Sequence, residues 1–142
     1  MTRTQRRRFL PEPDGLEPLI LPSFVTPYQL SQVYSLSGLT FSKNGQTVKA
    51  DGTGQTIAIV DAFHDPYLQR DLQIYDGFFS LPDANLSQVN LAGSSTNDGW
   101  AGEEVMDVEL VHSIAPGAKI VVVEAASDSV NDLVKAKLGI EE

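Results

Sequence analysis

The order of elements predicts an α/β fold, a partial parallel sheet with flanking helices in three layers, αβα. Two short apolar runs carry the prediction. "QTIAIVDA" (55–62) and "KIVVVEA" (119–125) are of strand length and apolar on both alternating faces, as strands buried on two sides must be. Between them lie helical stripes at 68–75 and 101–114 and a weaker strand candidate, "SQVNL" (87–91). Strand and helix alternating at these spacings favour parallel strands joined by right-handed crossovers.

Element by element, the chain opens with 1–25, proline-rich and without periodicity, predicted as a disordered or extended arm. "MTRTQRRRFL" has the look of a twin-arginine export signal, but "PEPDGLEPLILPSF" follows where an uncharged apolar region should stand, so a basic tail is the expectation. "TPYQLSQVYSL" starts a helix: Thr26 suits the N-cap, Pro27 the first helical position and Gln29 the third place of a capping box. Leu30, Val33 and Tyr34 supply its stripe. "SKNGQTVKADGTG" (42–54) is a polar loop rich in turn signals. Asp65-Pro66 caps and opens the next helix, striped by Leu68, Leu72 and Tyr75. Pro116-Gly117 closes the helix over 101–114, and Ser127 or Asp128 caps a last one over 129–137.

The chain has 142 residues with 42% hydrophobic, which suits one domain. Four of its ten basic residues (Arg3, Arg6, Arg7, Arg8) lie in the first eight positions. From residue 9 onward six basic residues face nineteen acidic ones, a net of −13, and such a surface repels phosphate backbones, which argues against nucleic-acid binding by the domain. The absence of cysteine excludes disulfides, thiolate metal sites and a cysteine nucleophile. No apolar window is long enough to cross a membrane.

On a helical wheel the 101–114 segment places Met106, Leu110, Val111 and Ile114 on the stripe expected to face the core, and Glu103 and Asp107 fall on that same stripe. His112 points to the opposite, polar side. Two carboxylates at i and i+4 on a partly desolvated face repel one another and lose hydration, so they should titrate as a coupled pair with at least one raised pKa. Sharing a proton, one can act as a base while the other holds it, the arrangement that deprotonates a hydroxyl nucleophile in mild acid. The alternative is that Glu103 simply complements the helix dipole in the first turn. Glu109 and His112 have the Glu-x-x-His spacing of di-iron sites, but one copy without companion helices is insufficient. Asp61, at a strand end, caps a loop or lines a cleft, and Trp100 walls the cleft or packs at a loop.

Glu103-x-x-x-Asp107 followed by "IAPGAKIVVV", with "GTGQTIAIVDA" about forty residues earlier and "TPYQLSQVYSL" before that, resembles the sedolisins, the serine-carboxyl peptidases, over roughly residues 24–136. The resemblance implies a subtilisin-like fold and a serine–glutamate–aspartate triad. Glu103 would then be the general base and Asp107 the aspartate that orients it, with a polypeptide as substrate and secretion as the family's usual destination. It divides the chain into the arm at 1–25, a truncated catalytic domain at 26–137 and a divergent tail at 138–142. It also implies a Gly-Thr-Ser nucleophile, an oxyanion-hole aspartate and a calcium-binding segment further along, none of which is found within residues 1–142. "GSST" (93–96) precedes the carboxylates, and neither Ser94 nor Ser95 has motif support. No His-Gly-Thr-His string follows Asp61, and the other histidine is His64, so a subtilisin-type triad is unsupported. The expectation is therefore a peptidase portion that is inactive alone. A small non-catalytic α/β module that pairs with a complementing chain through an exposed sheet edge is the alternative. A receiver-type phospho-acceptor built on Asp61 lacks its acidic companions and its lysine.

Overall fold

The computed structural model describes residues 25–139. The 1–25 arm, save Val25, and residues 140–142 of the predicted 138–142 tail lie outside that range. Two strands, the third and fifth in chain order, fall where the apolar runs put them: β3 (Thr56–Ala62) and β5 (Lys119–Ala125). β4 (Asn85–Asn90) begins two residues before the predicted strand. The sheet is parallel in the order β3-β5-β4, so the last strand in sequence lies between the other two.

Helices cover both faces. α2 (Leu68–Phe79) and α3 (Asp98–Ile114) pack on one side around Leu68, Leu72, Val108, Ile120 and Val122, all fully buried, together with Ile59. α4 (Val130–Leu138) packs on the other, where Ala136 meets Val123 and Ala125. Alternate residues of β5 thus feed two separate cores, the reason its sequence is apolar at nearly every position. Each fully buried Leu, Ile or Val stabilises the fold by roughly 1.5–3 kcal/mol, so the α2/α3 side, with more of them, is the face that fixes where α3 lies.

Local signals were accurate at some ends and not others. α1 (Pro27–Val33) starts as expected: Gln29 N–H donates to Thr26 Oγ1 at 3.2 Å, and Thr26 N–H donates to Gln29 Oε1 at 2.9 Å. Of its expected stripe only Leu30 is buried; Val33 and Tyr34 are exposed. The predicted 42–54 loop instead contains most of a hairpin, β1 (Thr40–Lys43) and β2 (Gln46–Lys49), turning on Asn44 and Gly45, both with positive φ. α2 begins at Leu68 rather than after Asp65, whose Oδ1 accepts the Tyr67 N–H at 2.8 Å one turn earlier. α3 begins at Asp98, three residues before its predicted start, because Asn97 Oδ1 accepts from Gly99 and Trp100 N–H. Ser129, not Ser127 or Asp128, caps α4; Ser127 Oγ donates to Asp132 Oδ2 at 2.7 Å.

The two distant strings "DGTGQ" and "APGAK" meet in space. Gly117 N–H donates to Asp51 O at 2.8 Å, and a Cβ on Gly52 would stand 2.8 Å from Ala115 Cβ, on a backbone whose φ of +82° already disfavours a side chain. This contact seats the start of β3 against the turn that feeds β5.

Candidate active site

In a parallel sheet, side chains at the carboxyl ends of the strands gather at one rim. Here the rim carries Asp61 from β3 and Glu124 from β5, which are register partners, and Gln88 from β4. Their alternation places all three on the side covered by α2 and α3. After β3 the chain kinks at Phe63, whose φ of +67° is unusual for an aromatic residue, while Phe63 N–H donates to Ala125 O at 2.9 Å. The kink brings His64 over the end of β5.

Glu103 and Asp107 project from α3 into a cleft of about 570 Å³ lined by Val60, Asp61, Asn97, Gly99, Trp100 and Leu133. Val60 belongs to the α4 side of β3 and Asp61 to the α3 side, so this cleft lies along the outer edge of that strand. Glu103 is exposed and Asp107 half-buried, whereas Asp61 is buried, with Oδ2 lacking any hydrogen-bond partner. Loss of hydration, then the charges of Asp107 and Glu103, push the Asp61 carboxyl up to about 6. Three acidic groups thus share one opening, and the buried one holds a proton at a pH where ordinary carboxylates have lost theirs. Trp100 is one wall of this cleft.

The buried face of α3 lies roughly a third of a turn from the expected one. Its buried residues are Glu104, Val108 and His112, with Val105 and Val111 packed alongside, while Met106 and Ile114 are exposed. The cause is visible in the helix itself. Apolar residues lie on almost every side of it, and Met106 and Leu110 serve a second, apolar groove of about 450 Å³ shared with Val25, Tyr75 and Phe79. His112, expected on the surface, is fully buried: Nε2–H donates to Pro82 O at 2.9 Å and lies 3.2 Å from Asp76 Oδ1, tying α3 to the end of α2. Glu109 lines the apolar groove instead of meeting His112, and burial, then Asp71 and Asp76, push its carboxyl up to about 7.

A second acidic cluster, with no motif to mark it in the sequence, lies between α3 and the end of β5. Glu104 and Glu124 are both fully buried. His64 Nδ1–H donates to both oxygens of Glu124 at 2.9 Å, Gln88 Nε2–H donates to Oε1 at 2.9 Å, and Asp65 N–H donates to Oε1 at 3.2 Å. Neither oxygen of Glu104 receives a hydrogen from any donor among the described residues. Burial, then the charges of Glu124, Asp61 and Asp65, push the Glu104 carboxyl up to about 9. A signal for Glu124 existed, since an acid at the inward register of an apolar strand must be partnered. Glu104 had none beyond its spacing to Val108 and His112.

Among the described residues no three His, Asp or Glu side chains are arranged to hold a metal ion, and no helix is long and apolar enough to cross a membrane. No model of a known protein family matches the chain, and no curated protein matches it.

Proposed function

We propose that this chain supplies the glutamate–aspartate half of a serine-carboxyl peptidase site, as its resemblance to the sedolisins suggests. The observation that carries the reading is the common cleft: Glu103 and Asp107, four residues apart, open beside the buried Asp61 at the rim of a parallel sheet. In that role a serine attacks the peptide carbonyl, Glu103 accepts the hydroxyl proton and returns it to the leaving amine, and Asp107 orients Glu103. Asp61 adds negative charge below the pair when ionised and a neutral wall when protonated. Residues 1–142 contain no Gly-Thr-Ser string, so the attacking serine is assigned to polypeptide outside them. Without nucleophile or oxyanion stabiliser these residues alone turn over no peptide.

The test is to determine what is encoded after codon 142 and to assay the joined polypeptide on a denatured protein between about pH 3 and 6. A following Gly-Thr-Ser segment, with hydrolysis abolished by Glu103→Gln, is the expected result. A continuation lacking that segment overturns the reading. Hydrolysis by the 142-residue chain itself would instead show that it holds its own nucleophile.

One observation favours a non-catalytic alternative: β3 and β4 each have an unpaired outer edge among the described residues. A stable, cooperatively melting monomer that takes up an extended peptide as an added strand would support it.

A further inference from the structure

We propose that Glu104 and Glu124 hold one proton between them, carried on Glu104 and donated to Glu124, and that this shared proton pins α3 to the carboxyl end of β5. Nothing in this pairing depends on peptide hydrolysis.

The geometry dictates both the proton and its owner. Both carboxyl groups are fully removed from solvent, Glu104 on the face of α3 turned to the sheet and Glu124 on the side of β5 that this helix covers. Two ionised acids in that position would repel in a poorly screened environment, and two acceptors can be joined only by a hydrogen. Glu124 accepts from His64, Gln88 and the Asp65 N–H, donors that stabilise its charge; Glu104 has none. A carboxylate rich in donors stays ionised and its donor-free neighbour keeps the proton. Oε2 of Glu124 has only the hydrogen shared from His64, so it is the less satisfied of the two oxygens. The groups whose charge acts on Glu104 are Glu124 on β5, Asp61 on β3 and Asp65 in the β3–α2 connection, all acidic; β4 contributes the uncharged Gln88. His64, the basic group of the cluster, is already engaged with Glu124.

The consequence is a connection that fails in alkali. Glu104 holds its proton more tightly folded than unfolded, so its contribution to stability is complete in acid and is lost as pH rises towards about 9. Asp61 near 6 and Glu109 near 7 have largely titrated by about pH 8, which leaves the stretch from there to pH 9 to Glu104.

Two measurements on the 142-residue chain test this. Infrared spectra at about pH 8 should contain a carboxylic-acid C=O band in the folded protein that vanishes on unfolding in urea and is missing from Glu104→Gln. In urea titrations the wild-type unfolding constant should rise, by up to about tenfold per pH unit, between about pH 8 and 9. Glu104→Gln, whose amide can still donate to Glu124, should be flat there and more stable than wild type at the alkaline end. Absence of the infrared band in the wild type overturns the proposal without need of any variant. An unchanged slope in a folded Glu104→Gln protein overturns it equally.

Discussion

Two adjacent residues, Glu103 and Glu104, are chemically identical and have opposite fates. Glu103 faces an open cleft with Asp107 and Asp61; Glu104, about 100° further round the helix, is sealed against Glu124 with no solvent at all. In the cleft, charges can be hydrated, and the group most strongly affected is Asp61, which lies deepest. In the sealed cluster, donor supply separates the two acids: Glu124 accepts from three donors and Glu104 from none, and burial beside acidic neighbours raises the Glu104 carboxyl to about 9. Proximity of like charges is common to both regions. What separates them is whether water can reach the pair, so an i, i+4 carboxylate spacing on a helix says little about protonation until the buried face is known.

The contrast can be broken most forcefully at the dry end. Glu124→Leu leaves His64, Gln88 and the Asp65 N–H without their acceptor, and urea unfolding at about pH 7 should report a loss of about 3–5 kcal/mol, against a smaller one for Glu124→Gln, whose amide oxygen still accepts. Asp61→Asn comes next. Asp61 binds a proton more tightly folded than unfolded, so it stabilises the fold in acid and that contribution is lost as pH rises from about 4 to about 6. The variant should flatten the stability profile in that window and exceed wild type above it, because an uncharged amide is not repelled by Glu103 and Asp107. The smallest effect belongs to Glu103→Gln, an exposed site, where unfolding free energy should stay within about 0.5 kcal/mol of wild type. Its signature is electrostatic: an NMR titration should find the Asp61 carboxyl moved down from about 6 once one of the two charges that raise it is gone. A large stability loss at Glu103 would mean that the cleft is less wet than the comparison requires.

How much of this was legible depended on whether the deciding interaction was local. The capping box at Thr26 and Gln29 and the two apolar strands were readable, because a cap is settled within four residues and a strand buried on both faces shows it in composition. The hairpin was not: Thr40–Lys43 is exposed throughout and Gln46–Lys49 nearly so, leaving Asn44-Gly45 as its one strong mark. The phase of α3 was hidden for the opposite reason, an excess of apolar residues serving two separate neighbours. Glu103 and Asp107 do share a cleft, but the desolvation expected for them fell on Glu104 and Asp61, and His112 proved to be a buried tie between helices. Such assignments depend on which helix lies over which strand, information spread across some sixty positions of sequence separation between His64 and Glu124.

The position of β5 has a consequence for synthesis. Among the described residues β3 and β4 do not pair with each other; each is bonded to β5, the last of the three to leave the ribosome. A nascent chain halted before residue 119 therefore holds two solitary strands with no ladder between them, and both cores wait on the same seven residues. Pairing within the sheet cannot begin before β5 is made, and until then the apolar stretch at 56–62 is open to capture by chaperones or by other chains.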